Sequence, residues 1–241
     1  MARALVDLLW RDHPMAPGRG ARGPRAKATT DAVVEAAIAL ADRDGIDAVT
    51  MRALAAAAGV TGTAVYTHVP SRDDLLVLMV DAVRANRSHP SLAGATWRDR
   101  VRALAEHHRA EHLAHPWLLD VDDQRSAIGP GTIAAYDHDL HAFDDLGLDD
   151  VARDAALAFV IDAARASARA LRAERTAADA GATWAASAER LAAYVGDAHP
   201  LARRVGAAAG AQMGAPASAE HAWAFALARV IDGLAALVDP A

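Results

Sequence analysis

The sequence predicts an all-α protein. Three observations carry that expectation. Hydrophobic residues make up 53% of the 241-residue chain, much of it alanine, the strongest helix former, while aromatics supply only 5%. Runs rich in Val, Ile, Tyr and Phe, from which strands are usually built, are missing. Apolar residues instead recur at helical spacing, between residues that cap helices and glycines or prolines that end them.

The length allows one large or two small domains. No cysteine is present, which excludes disulfides and thiolate metal sites and fits a cytoplasmic setting. No uninterrupted apolar run reaches the ~18 residues of a membrane span, so no membrane partner is expected. Residues 5–10 are too short for a secretion signal and are interrupted by Asp7.

Residues 1–28 read as a basic flexible arm. Pro14, Pro17 and Pro24 alternate with Gly18, Gly20 and Gly23, and Arg19, Arg22, Arg25 and Lys27 follow without an acid. Such an arm can reach a minor groove or lie along phosphates, or simply be a solvated tail, and both readings stand at this point. Leu5, Leu8, Leu9 and Trp10 can form a short apolar helix that docks on the body. Overall the chain carries a net charge of −6. The first 90 residues are near neutral, with 11 Lys and Arg against 10 Asp and Glu, so the acidity falls on the remainder. That distribution permits a phosphate-binding surface at the N-terminal end.

Thr30 can cap a helix over residues 30–43 with Val33, Val34, Ala37, Ile38 and Ala41 as its buried stripe, ended by Gly45. The next stretch, residues 50–70, organises the chain. Thr50 caps a short helix whose Met51, Leu54, Ala55 and Ala58 share one face. Gly59 stops it, Val60 plugs the turn, and Thr61 caps a second helix carrying Val65 and Tyr66 before Pro70 bars continuation. The small Ala55 lets the two helices cross closely, and Thr63, Thr67 and His68 leave the second helix polar outside. This is a helix-turn-helix pattern.

With Gly45, Thr50, Gly59-Val60, Tyr66, His68, Val69 and Arg72 at fixed spacing, residues 29–83 resemble the DNA-binding domain of the TetR family of transcriptional repressors. Residues 97–117 are similar, more weakly, to the C-terminal domain of its tetracycline-repressor branch. The resemblance implies a helix-turn-helix domain at residues 29–75 and a helical effector-binding and dimerisation domain at residues 76–241. By position in the family motif, Arg52, Thr61, Thr63, Tyr66, Thr67, His68 and Arg72 are the candidate DNA contacts. Gly62 and Ala64 lack hydrogen-bonding side chains, so direct base readout is expected to be sparse.

Ser71 opens a strongly apolar helix with Asp73 and Asp74 in its first turn, where the helix dipole favours anions. In TetR-like proteins this helix joins the DNA reader to the effector domain. Residues 88–94 break the chain into two halves. Thr96 then caps a helix to residue 114, Gly129-Pro130-Gly131 reads as a breaker, and residues 132–146 form the next helix. Asp149 caps a long helix to residue 176, residues 183–195 make a shorter one, and residues 199–216 read as a Gly/Ala loop. Ser218 caps a last helix to residue 238. The long helix carries Ala156, Leu157, Val160, Ile161, Ala164, Ala168 and Leu171, and the last is apolar on most of its circumference. Such helices are buried on more than one side, either inside one subunit or, as the resemblance implies, as a four-helix bundle in a homodimer.

Six of the eleven histidines fall between His107 and His141. His108, His112 and His115 share a helix face. Tetracycline-binding members use a histidine for the magnesium that accompanies the drug, whereas this chain has Ser88 there, with His89 next to it. No metal or other cofactor is therefore expected. Trp97, His108, His112, Trp117, Gln124, Tyr136 and His141 are the candidate lining of a small-molecule pocket. No Gly-x-Ser-x-Gly, HExxH, phosphate loop or cysteine is present, and Asp122–Asp123 and Asp144–Asp145 diverge as neighbours do, so an enzyme is not expected. The reading is a repressor released from palindromic double-stranded DNA by a small-molecule effector. The alternative is a metal- or small-molecule-binding helical protein whose N-terminal domain docks a protein partner.

Overall fold

In the computed structural model, residues 4–16, 29–121, 124–177, 180–215 and 217–238 are described. The basic cluster Arg19–Lys27 and the pair Asp122–Asp123 lie outside them. Among the described residues every regular element is a helix.

The N-terminal unit is built from α1 (Leu5–Leu9), α2 (Thr30–Asp44), α3 (Met51–Ala57), α4 (Gly62–His68) and α5 (Arg72–Asn86). Their caps follow from the sequence with one shift: Thr29, not Thr30, accepts the α2 N–H of Ala32 at 3.1 Å. The hydroxyls of Thr50, Thr61 and Ser71 accept N–H groups of Ala53, Ala64 and Asp74. Each cap satisfies a donor that the first helical turn leaves orphaned. Val33, Ala37, Val49, Leu54, Val65, Val69, Leu75 and Met79 form the buried core, and Leu8 and Leu9 of α1 dock on it. The boundary drawn at residue 75 falls inside α5, which is continuous and contributes core residues as far as Val83.

The second unit holds α6 (Trp97–Ala114), α7 (Pro130–Leu140), α8 (Asp150–Thr176), α9 (Ala180–Val195), α10 (Pro200–Met213) and α11 (Ala219–Val238). Its core joins Val101 and Leu104 of α6, Phe143, Leu157 and Val160 of α8, and Trp223, Leu227, Val230 and Leu234 of α11. Short 3-10 segments at Pro116–Leu119, Gln124–Ile128 and His141–Phe143 complete it.

Two expectations are corrected. Residues 199–216 are not a loop, because α10 occupies most of them. Pro200 sits in its first turn and Gly214, at φ 64°, ends it by donating its N–H to the Gly210 carbonyl. Alanine's helix preference outweighs the roughly 1 kcal/mol cost of each interior glycine. Gly129-Pro130-Gly131 does not break the chain but starts α7, which stops at Leu140 instead of 146 and passes into the 3-10 segment. By length and composition alone, α11 is apolar enough to cross a membrane, although Arg229 and Asp232 interrupt it. One of its faces is covered by α6 and α8, however, and the other carries the Arg229–Asp232 ion pair.

The glycines of that start have a tertiary reason. α7 meets α5 so closely that a Cβ on Gly131 would lie 2.3 Å from the Asp81 carbonyl oxygen and 2.7 Å from the Ala85 Cβ. The Asp81 carboxylate accepts the Thr132 N–H at 2.8 Å, an anion at a helix N-terminus. Burial raises its pKa, and the hydrogen bonds from Thr132 and Gly131 work against that rise. Gly131→Val is therefore expected to push α5 and α7 apart and cost about 1–3 kcal/mol. A denaturation curve within error of wild type would contradict the contact.

Candidate nucleic-acid interface and interhelical cavity

α3 and α4 pack against each other, with Ala55 buried and Leu54, Val65 and Val69 shielded completely. The turn between them needs the positive φ of Gly59, at 64°, and Val60 closes it by donating to the Ala55 carbonyl at 3.0 Å. Holding the apolar side inward leaves the opposite side of α4 to solvent. Thr61, Thr63, Thr67 and Tyr66 are exposed there, Tyr66 by 55%, and His68 is half-buried at the C-terminal end.

These candidates are not equally free. The Thr61 hydroxyl accepts its cap bond, and the Thr67 hydroxyl donates back to the Thr63 carbonyl at 3.1 Å. Thr63 is exposed, and its carbonyl rather than its side chain takes the Thr67 bond. Arg52, in the first turn of α3, is exposed. Arg72 is differently employed: its Nε donates to the Val49 carbonyl at 3.2 Å and its Nη2 to that of Ile46 at 3.0 Å. It ties the start of α5 to the turn that leads into α3.

α5 runs from this unit into the wall of a cavity of about 260 Å³ enclosed by α5, α6, α7, α8 and the two 3-10 segments after α6. Of the expected lining, His108, His112, Gln124 and Tyr136 are there. Trp97, Trp117 and His141 are not. Trp97 packs on the second core and stacks against Arg98. His141 is exposed and bonds Asp144 at 2.7 Å. Trp117 turns away from the cavity into the N-terminal core, where its indole N–H donates to Asp42 of α2 at 2.7 Å. Its neighbour Leu118 faces the cavity.

The sequence reading missed the charged lining. Arg84, Arg87, Glu111, Asp139 and Arg165 all reach the cavity. Arg84 lies in the last turn of α5 and Arg87, three residues on, caps its C-terminal end, and Glu111 is three beyond His108 on α6. That spacing was the available signal, since one helical face then mixes charge with apolar residues. Arg87 lies 2.5 Å from Asp139 and 3.6 Å from Glu111, with only 5% of its side chain exposed. The second Asp139 partner is His108, whose Nε2 bonds the same carboxylate oxygen at 2.8 Å. Burial pushes the Asp139 carboxyl up, but His108 and Arg87 outweigh it and hold the pKa at about 2.

His112, which lines the cavity, uses Nδ1 to donate to the His108 carbonyl at 2.7 Å, which leaves Nε2 as an acceptor. Burial lowers its pKa, keeping the ring neutral. A folded-state pKa below the unfolded one means this ring's contribution to stability is lost as pH falls from about 6.5. Among the described residues, three buried polar atoms around the cavity lack hydrogen-bond partners: Arg87 Nε, Glu111 Oε1 and Arg165 Nε. Val80, Leu118, Leu157 and Ile161 supply apolar walls. Such a space fits a compact molecule with an apolar body and a few polar groups.

The fold has known counterparts. The family model described as bacterial regulatory proteins, tetR family, matches residues 33–79. The model for the tetracyclin repressor-like C-terminal domain matches residues 89–238, more than half of the chain. An HTH-type transcriptional repressor, DrrR1, of Streptomyces coeruleorubidus is 34% identical over 180 residues, 73% of this chain and 65% of that protein. An HTH-type transcriptional regulator of Saccharopolyspora erythraea is 38% identical over 106 residues, 44% of this chain and 45% of the relative. The chain thus spans about two thirds or less of these curated relatives. Apo ActR from Streptomyces coelicolor superposes with a TM-score of 0.70 at 22% identity, over 88% of this chain and 99% of ActR. ActR in complex with actinorhodin gives 0.66 at 25% identity, over 88% and 98%. Two matched segments, one on the helix-turn-helix and one on the helices around the cavity, cover nearly all of the described chain from α2 onward, and the chain belongs to the TetR family of bacterial regulatory proteins.

Proposed function

We propose that this chain is a dimeric, ligand-responsive transcriptional repressor that places α4 in the major groove of each half of a palindromic operator. One observation carries the reading. A single helix, α5, belongs to the core beneath the exposed face of α4 and also forms a wall of the polar cavity. A second link runs beside it, with Trp117 in the reader core and Leu118 in the cavity wall. A ligand that favours one cavity shape thereby favours one setting of the reader, and only by its differential affinity for the two.

The effector class follows from the lining. Arg165 has an unpartnered buried Nε and Glu111 an unpartnered carboxylate oxygen, among apolar walls. A compact molecule with an apolar body, an acidic or carbonyl oxygen toward Arg165 and a donor toward Glu111 satisfies both. The dimer is built through the outer faces of α8 and α11, where Phe159 is 52% and Phe225 62% exposed. Binding to chromosomal DNA sets the site of action in the cytoplasm. No enzymatic step is needed.

Selection of bound duplexes from a random pool by the purified protein tests the reading. An enriched inverted repeat is expected, with half-sites about one helical turn, roughly 34 Å, apart. Recovery without any enrichment would overturn it. Two arginines are then expected to separate. Arg52→Ala should flatten the salt dependence of binding by about one unit with little loss of stability. Arg72→Ala should instead lower the stability of the N-terminal unit by about 1–3 kcal/mol, since it abandons two carbonyls. Equal effects of the two on the salt slope would return Arg72 to a phosphate role.

A further inference from the structure

Outside the cavity, on the far side of Asp139, three histidines from three elements crowd together. His89 follows α5, His107 is on α6 and His138 on α7. The His89 ring lies 4.2 Å from that of His138 and 6.3 Å from that of His107, centroid to centroid. The ligating atoms of His89, His138 and Asp139 all fall within 4.8 Å of one another. The buried Nε2 of His107 has no hydrogen-bond partner among the described residues. On the Asp139 carboxylate, Oδ2 is taken by Arg87 and His108, whereas Oδ1 points to the His138 Nδ1 at 3.5 Å.

We propose that His89, His138 and Asp139 Oδ1 bind a divalent transition-metal ion of the zinc class, with His107 close by as a further nitrogen donor. Two imidazoles and a carboxylate are the donor set that suits Zn²⁺, Co²⁺ and Ni²⁺ rather than Mg²⁺ or Ca²⁺, which prefer oxygen alone. Bonds of about 2.0–2.2 Å to one ion draw the donor atoms closer than they stand here. His89 is exposed on the loop between α5 and α6, and its ring already lies against that of His138. Asp139 already has an outer partner in Arg87 and another in His108, the kind of support that fixes a ligating carboxylate.

The ion would tie the end of α5 to α7. It would also share Asp139 with the cavity, so that ion and effector affinities are coupled. The site itself does not depend on the DNA-binding reading, and its test uses no DNA.

The test is titration of the full chain, prepared without a histidine tag, with Zn²⁺ by calorimetry and with Co²⁺ by visible absorption. One ion per chain and an imidazole-type Co²⁺ band are expected. His89→Ala, in an exposed loop that carries no core contact, should weaken binding by about tenfold or more, and His138→Ala likewise. His199→Ala, far along the chain and exposed, should leave it unchanged. Far-ultraviolet circular dichroism checks that each variant is folded. No binding by the wild type, or equal binding by wild type and His89→Ala, would overturn the proposal.

Discussion

Replacing Trp117 with alanine is expected to destabilise the chain by about 3–5 kcal/mol, the usual loss for a buried aromatic side chain. The ring is 2% exposed and fills the N-terminal core, although its residue belongs to the segment that follows α6. Two losses combine: the apolar contacts, and the indole N–H that Asp42 accepts at 2.7 Å. Trp117→Phe should cost clearly less, because most of the ring volume stays and His115 still bonds Asp42 at 2.8 Å. The measurement is chemical denaturation of the three proteins. A loss under about 1 kcal/mol for the alanine variant would mean that the ring is not packed as described. On the proposed function, the phenylalanine variant should also bind operator DNA normally but respond less to the effector, because the link from Leu118 to the reader is loosened.

The second large effect is expected at Arg87. Arg87→Met leaves Asp139 and Glu111, both nearly shielded from water, without their cation. Breaking a buried pair from one side costs about 3–5 kcal/mol, mostly because the remaining charge is uncompensated. Adding Asp139→Asn to Arg87→Met should recover part of that loss, since the stranded charge is removed as well. A double-mutant cycle measures the recovery as a coupling energy. Additive losses would show that Arg87 and Asp139 do not act as a pair.

Much of the architecture was legible because helix ends are local chemistry. Thr50, Thr61, Ser71, Thr96 and Asp149 cap the helices they were read to cap, each by a bond to the N–H three residues on. The helix-turn-helix was legible for the same reason, with one added constraint. Gly59 takes a positive φ and Ala55 is buried, and both follow from single residues. Errors came where local signals conflict. The glycines of α10 argued for a loop while its alanines argued for a helix, and the alanines prevailed.

What the sequence by itself determined is therefore the helical class, most helix boundaries and the exposed polar face of α4. The tertiary structure alone decided which residues meet. Periodicity tells that a face is covered, but which partner covers it depends on contacts between residues far apart in the chain. Trp117 was thus assigned to the cavity although it packs 75 residues away against Asp42. Arg87 finds Asp139 across 52 residues, and Gly131 is required by the carbonyl of Asp81. The histidines divide in the same way. His108 and His112, on one face of one helix, both reach the cavity, whereas His89 and His138 meet only because α5 and α7 pack side by side.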